Sequence, residues 1–356
     1  MSYYTSDDLS AFDAISYAQK ITFSPVLFQV AFCIREFGIL GLLDKNGKRG
    51  ATLEDLMEVS KLQRYSVNVL MDMALSGGIA YQDESERYYI TKAGQYLQND
   101  EMTIANLNFI KYVCYQGLDY LYESLKNNKP EGLKVLGPWE TIYPGLSSLN
   151  DKAKKAWFAF DHLYSDVAVK KAIEYVFSQK VGHLYDLGGN TGKFSIACTA
   201  YDKDVHVTIL DLKEQIALAK DNIKEHSLEN RVSFKEVNVL NETLDFPTGA
   251  DVWWMSQFLD CFDEDKVVHI LRSVASVIDN DCRVCILEPF NDNQKFEAAA
   301  YSINASSLYF TTMANGKSKF FSLKQFLKIL DRAGLAVHQS VENLGLGHTL
   351  LICKKK

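Results

Sequence analysis

The stretch YDLGGNTGKFS, residues 185–195, places a carboxylate and three glycines where a short apolar run gives way to a helix-forming one. Tyr185–Leu187 has the character of a buried strand, Gly188, Gly189 and Gly192 fall within five positions, and a helix is expected from Lys193. In α/β proteins ligands gather at such turns, at the carboxyl ends of parallel strands. Glycine there removes the Cβ and lets a ligand approach the backbone, while the N-terminus of the following helix favours a negative group.

The spacing separates the ligands such a turn can serve. A dinucleotide fingerprint needs G-x-G-x-x-G, but Asn190 stands two positions after Gly188. A P-loop needs Ser or Thr after Gly-Lys, and Phe194 follows Lys193. The pattern present is D-x-G-G-x-x-G, led by Asp186. Asp211 ends the next apolar run, TILDL, nineteen residues after Gly192. A carboxylate there can accept both hydroxyl protons of a ribose. A nucleoside-type ligand is expected, and S-adenosylmethionine rather than NAD.

Outward from this turn, strand-length runs (LYDL, HVTILDL, VSFKEVNVL, ADVWWMSQFL, RVCILEPF) alternate with helical segments such as KEQIALAKDNIKEH and EDKVVHILRSVASVI. Runs that are apolar on both faces and alternate with helices predict a doubly wound, mostly parallel sheet. The tail LAVHQSVENLGLGHTLLICKKK adds two strands as an antiparallel edge hairpin. Toward the N-terminus, SPVLFQVAFCIREFGILGLL reads as one helix, ATLEDLMEVS as a second with a Thr cap, and KLQRYSVNVLMDMALSGG as a third. IAYQDESERYYITKAG then reads as a small hairpin, giving a winged helix-turn-helix. That fold can read DNA through its third helix, but here the helix offers only Lys61 and Arg64. An interaction or dimerisation module is the reading preferred. Between the two parts, helical sequence is broken at residues 127–148 by a Gly- and Pro-rich loop containing Trp139 and Tyr143, expected to cover a cleft.

Bulk properties set limits. The 356 residues suit two domains, and 47% hydrophobic with 23% charged residues is ordinary globular composition. A net charge of −7 argues against a general nucleic-acid or anionic-membrane surface. The acidic start carries no signal-peptide pattern and no apolar run reaches membrane-spanning length, so a cytoplasmic protein is expected. Seven scattered cysteines suit free thiols; Cys282 and Cys285 form a CxxC inside a predicted strand with no second pair at zinc spacing, so no metal is expected.

With these motifs in hand, the chain from about Ser24 to its C-terminus resembles the S-adenosylmethionine-dependent O-methyltransferases of the caffeate, hydroxyindole and polyketide type. The resemblance implies an α/β fold: a Rossmann-like class I methyltransferase sheet, preceded by a mostly α winged-helix domain. The expected boundaries are a dimerisation domain over 1–105 and a donor-binding domain over 106–356, with a helical and loop lid at 106–180. It further implies a homodimer that binds a small-molecule acceptor, with S-adenosylhomocysteine as product. Asp186, Gly188, Gly189 and Gly192 would border the methionine part of the donor, and Asp211 with Leu212 the ribose. Asn238 and Val239 would stand beside adenine. In MSQFLDCFDEDKVVHIL, Ser256, Gln257 and Phe262 fall on the donor side, with Ser256 where the family has Lys and Phe262 where it has Trp.

The chain departs from the family at the catalytic positions. Asp260 stands where the resemblance calls for histidine, Glu288 matches the first of two glutamates, and Phe320 takes the place of the second. FDHLYSD nominates Phe160, His162, Tyr164 and Asp166 for one pocket wall, and INASSLYFTTMANG nominates Asn304, Tyr309, Phe310 and Met313 for the other. A phenol acceptor has a pKa near 10, and an ordinary aspartate near 3.9 is a weak base for it. Burial among Phe258, Cys261 and Phe262, and repulsion from Glu288, are expected to raise Asp260 and make it the base. His162 is the second candidate, and an acceptor acidic enough to need no base is the third reading. Transfer to N or C, a relative that does not methylate, and a winged-helix regulator that senses the donor without catalysis are the alternatives in function.

Overall fold

In the computed structural model residues 3–356 are described, while the side chains of His162, Tyr164 and Ser165 lie outside the described residues. The chain divides into two compact units, Tyr4–Lys111 and Tyr112–Lys356, the second also taking in Tyr3.

The first unit holds α1 (Ala11–Thr22), α2 (Ser24–Glu36), α3 (Ile39–Asn46), α4 (Leu53–Ser60), α5 (Arg64–Ser76), the ribbon β1 (Ala80–Gln82) and β2 (Tyr88–Ile90), α6 (Lys92–Asn99) and α7 (Glu101–Phe109). The single helix expected from SPVLFQ onward is two, because Gly38 adopts a left-handed φ of 76° between α2 and α3. Thr52 caps α4 in a reciprocal box with Asp55, as the sequence implied. Ile34, Ile39, Leu40, Leu43, Leu56, Val67 and Met71 close the core between these helices. Helix α1, which the sequence reading missed, buries none of its residues. Among the described residues no single helix is long and apolar enough to cross a membrane.

The second unit continues with α8 (Leu121–Asn127), α9 (Asp151–Val176), β3 (His183–Leu187), α10 (Lys193–Tyr201), β4 (His206–Asp211), α11 (Lys213–Glu225), β5 (Val232–Glu236), β6 (Val252–Ser256), α12 (Glu264–Val277), β7 (Arg283–Glu288), α13 (Glu297–Tyr309), α14 (Leu323–Ala333), β8 (Leu335–Leu344) and β9 (His348–Lys355). The strand order is β5-β4-β3-β6-β7-β9-β8; the first five strands are parallel and the last two antiparallel. Chain order reverses between β3 and β6, which opens the crevice that ligands use in such sheets.

Strand alternation fills both faces. Trp253 packs with Tyr185, Phe246 and Ile286 toward α12 and α14, and its neighbour Trp254 turns to the other face. There Trp254 stacks on Phe194 of α10, ring centres 4.0 Å apart. Each indole removes roughly 150–250 Å² from water, worth roughly 4–6 kcal/mol before entropy losses. This rigid centre holds the carboxyl ends of β3, β4, β6 and β7 in place.

The segment 127–148 is more ordered than a bare loop. Short 3-10 turns at Glu131–Val135 and Tyr143–Ser148 bury Leu133, Ile142 and Leu146. The Trp139 indole fills the space that a side chain at Gly137 or Gly145 would need, so both glycines pack on one ring.

Candidate active site

Asp186, next to last in β3, is buried on the α10 face, where it accepts the Ser195 hydroxyl at 2.7 Å. Burial pushes its carboxyl up to about 7, with the Asp211 charge adding to that and Ser195 opposing it. The glycine turn follows. Gly188 has φ 78°, and a Cβ there would run into the Phe258 ring; at Gly189 it would come 2.9 Å from Asp186 Oδ2 and from Ile209. The first two glycines are therefore required by the protein's own packing.

Asp211 ends β4. Its two oxygens accept the peptide N–H groups of Asn190, at 2.8 Å, and Leu212, at 2.7 Å. Burial raises its carboxyl and these two donors oppose the rise. Each oxygen retains a lone pair for a further donor. Leu212 caps α11 and is exposed, while Asn238 and Val239 follow β5, Asn238 exposed and Val239 buried.

At the ends of β6 and β7 buried polar atoms stand without partners: Ser256 Oγ, Gln257 Oε1 and Glu288 Oε2. Gln257 is also left-handed, φ 46°. Such residues at a sheet's carboxyl edge are partners in waiting for a polar ligand. Together with the Asp211 carboxylate, they fit a nucleoside carrying amino-acid groups. Phe262 is half-buried against Phe258, ring centres 5.1 Å apart.

Asp260 lies on the turn after β6 and is 3% exposed. Burial first, and the Asp161 charge second, push its carboxyl up to about 7; the Cys261 thiol, 3.6 Å from Oδ1, opposes them. Glu288 is raised well above the carboxylate range, by burial and then by Asp260. Asp260 and Glu288 are raised together and titrate as one pair, in which a second charge is disfavoured.

Asp161, half-buried on α9 and itself raised by burial to about 6, was not singled out in the sequence, nor was Asn315; Tyr143 and Cys261 were named there only as a lid residue and as packing around Asp260. The fold brings Asp161 close enough for its charge to raise Asp260, and Tyr143 and Cys261 close enough to be raised in turn by Asp260. Asp161 follows Phe160 inside the nominated FDHLYSD stretch, and Asn315 is next to last in INASSLYFTTMANG, so both lay within recognised stretches without being picked out.

Among the nominated pocket residues, Tyr309 is buried and accepts Trp157 Nε1 at 2.7 Å, while Phe310 packs on Tyr309 and Phe320 at 5.3 and 5.2 Å. Phe160 is half-buried on α9. Asp166 pairs with Lys193 at 3.0 Å. Two residues are placed otherwise than expected. Met313 is fully enclosed with its sulfur pressed on Gly117, and Asn304 is exposed and bonded by Asn291 at 2.9 Å. The side chains of His162 and Tyr164 lie outside the described residues. Among the described residues no group of His, Cys, Asp and Glu is arranged to hold a metal ion, and all seven cysteines are free.

A family model for the O-methyltransferase domain matches residues 139–336, over half of the chain and all of the sheet up to β8. The chain belongs to the O-methyltransferase family. A second model, for a Dimerisation2-like domain, matches residues 16–88. Over 317 residues this methyltransferase is 23% identical to an L-tyrosine C(3)-methyltransferase of Streptomyces lavendulae, covering 88% of this chain and 85% of that one. It is 23% identical over 313 residues to a 2,7-dihydroxy-5-methyl-1-naphthoate 7-O-methyltransferase of Streptomyces carzinostaticus, covering 85% and 89%. In structure it is similar to the S-adenosylmethionine-dependent methyltransferase SibL, with TM-score 0.74, 18% identity and coverage of 96% and 99%. It is also similar to PigF with S-adenosylhomocysteine, with TM-score 0.67, 18% identity and coverage of 98% and 100%. The fold is that of the class I methyltransferases, and the methyl donor of this O-methyltransferase is S-adenosylmethionine.

Proposed function

We propose that this methyltransferase loads a hydroxyl of a small aromatic or polyketide-like acceptor, with Asp260 removing the hydroxyl proton. When bound, the donor supplies an electrophilic methyl group on a sulfonium. The chain's own part is to hold the donor by Asp211, the glycine turn and the orphaned polar atoms of Ser256 and Gln257, and to keep a base ready. The observation that carries the reading is the buried Asp260 beside Glu288 at the carboxyl edge of β6 and β7. A carboxylate near 7 is a far better match to a phenol than one near 3.9, and remains ionised in good part at neutral pH. The aromatic faces of Tyr309, Phe310 and Phe320 suit a flat acceptor.

The test is incubation of the folded protein with isotope-labelled S-adenosylmethionine and a panel of phenols and naphthols, read by mass spectrometry. Labelled product from wild type, formed at least about a hundredfold more slowly by Asp260→Asn at equal donor affinity, is the expected result. Turnover by Asp260→Asn at the wild-type rate would remove Asp260 from the mechanism.

A second reading, transfer to ring carbon, draws on the likeness to a C(3)-methyltransferase. A phenolate is nucleophilic at oxygen and at the ortho carbon, so the same deprotonation prepares both. After attack at carbon the ring proton must also leave: solvent takes it, or Asp260 does once it has returned the first proton to the phenol oxygen or to water. NMR of the labelled product separates an aryl methyl from a methoxy group.

We also infer a homodimer through the first unit. Helix α1 leaves Phe12 85% and Ile15 63% exposed, apolar surface that a second copy would cover, and residues 16–88 match a Dimerisation2-like domain. Sedimentation velocity at micromolar concentration tests it, and a monomer there would remove it.

A further inference from the structure

Asn315 follows the π-helical turn Phe310–Ala314, a local irregularity that often accompanies functional sites. Its side-chain oxygen accepts the peptide N–H groups of Lys317 and Ser318 at 2.9 and 3.0 Å, closing its own turn. Its amide nitrogen faces outward, toward the Cys261 carbonyl at 2.9 Å, the Ser318 hydroxyl at 2.8 Å and the Tyr143 hydroxyl at 3.2 Å. The Ile142 N–H donates to the Ala314 carbonyl at 2.9 Å, and Tyr143 is also hydrogen-bonded to the Cys261 thiol. One amide thus joins three stretches distant in sequence: the lid segment at 142–143, the turn that carries Asp260, and the end of the pocket wall.

A residue that served only its own turn would need the oxygen alone. The nitrogen does something further, because the carbonyl it holds belongs to Cys261, the residue next to Asp260. We propose that Asn315 is a positioning residue for methyl transfer, tying the Tyr143 segment to the Cys261 carbonyl so that Asp260 keeps a fixed and water-excluded place. The proposal rests on the reading of Asp260 as the base. Asp260 is faced by Asp161 from α9, by Glu288 from β7, and by Tyr143 and Cys261 from the tied segments. Loosening the tie admits water to this group, favours its charged form, and moves the reacting atoms apart.

The experiment compares Asn315→Ala, Tyr143→Phe and Ser318→Ala with wild type. S-adenosylhomocysteine titration first establishes that each variant binds the donor's product as wild type does. With the phenol that gains label in the assay above, Asn315→Ala is expected to lower kcat about ten- to a hundredfold, the scale of a small misplacement of reacting groups. The acid limb of its kcat/KM profile moves to lower pH. Tyr143→Phe shifts both in the same direction by less, and Ser318→Ala, which leaves the Cys261 and Tyr143 bonds in place, keeps the wild-type limb. Iodoacetamide labelling of Cys261, read by peptide mass spectrometry, is faster in Asn315→Ala and Tyr143→Phe. An unmoved acid limb together with wild-type Cys261 labelling in both variants overturns the proposal. If Asn315→Ala does not fold, Tyr143→Phe decides. If no phenol accepts methyl, the functional reading fails, and Cys261 labelling still decides whether the tie exists.

Discussion

Glu288 holds the peptide N–H groups of Phe258 and Leu259 on one carboxyl oxygen, at 3.2 and 3.1 Å, and leaves the other oxygen buried and unpartnered near Asp260. The engaged oxygen anchors the turn after β6. Burial and the nearby Asp260 both raise Glu288, and with Asp260 as the proposed base Glu288 is the neutral member of the pair. In that reading one residue anchors the turn and stays neutral while its neighbour acts.

That division of labour predicts opposite outcomes for two isosteric changes. Glu288→Gln keeps the accepting oxygen and the neutral charge, so the acid limb of kcat/KM stays within about half a pH unit of wild type. Asp161→Asn removes the charge that raises Asp260 and moves the limb to lower pH. A limb that follows Glu288 and ignores Asp161 would show that the order of ionisation is the reverse.

Asp260 also links activity to stability. Its folded pKa, about 7, lies above the unfolded value of 3.8, so the folded state holds the proton more tightly. The favourable contribution is complete below the unfolded pKa and is lost as pH rises from there through about 7. Above that window the buried charge costs on the order of 4 kcal/mol. Asp260→Asn should therefore unfold at a higher temperature than wild type at pH 8.5, with the difference closing toward pH 4. The same variant should lose turnover on the order of 10²–10⁴-fold, the usual range for a general base. Thermal melts across pH, beside the labelled-donor assay, check both, and a variant less stable at pH 8.5 would count against a buried charge at 260.

What the sequence disclosed and what it hid divide along a physical line. The sheet was legible because runs such as ADVWWMSQFL are apolar on both faces, and only a covered parallel sheet accommodates adjacent tryptophans that turn opposite ways. Asp211 was legible because it closes a strand beside a glycine turn. Asp161 and Asn315 were not. Each is polar, lies in a helical or turn segment, and acquires its role from residues far along the chain, such as Cys261, 54 positions from Asn315. Helix α1 was missed for the opposite reason: its apolar residues bury nothing within the chain.

Asp211 is asked to hold the Asn190 amide and, in the proposed complex, the ribose hydroxyls. Asp211→Ala removes both, loosening the glycine turn and weakening S-adenosylhomocysteine binding at least about tenfold, as loss of a charged hydrogen bond of about 1.5–3 kcal/mol implies. Asp211→Asn keeps one accepting oxygen and should fall between. Calorimetric titration reads both, and undiminished affinity in Asp211→Ala would move the ribose site elsewhere.

The glycine turn yields the sharpest comparison. Gly188, at φ 78°, and Gly249, at φ 91°, both sit in the left-handed region, but a side chain at Gly249 meets open space and one at Gly188 meets the Phe258 ring. Gly249→Ala should cost about 1–2 kcal/mol from the backbone alone. Gly188→Ala carries that cost and a further 1–3 kcal/mol or so from overpacking, and it also displaces Phe258 from the turn that holds Asp260. Trimming the ring with Phe258→Ala in the Gly188→Ala background should return the overpacking part and leave the backbone part. Urea unfolding of the two single variants at positions 188 and 258, the double variant and Gly249→Ala measures each share. Equal losses at Gly188 and Gly249, with no coupling between 188 and 258, would mean that the turn does not rest on Phe258 and that its glycines answer to a ligand after all.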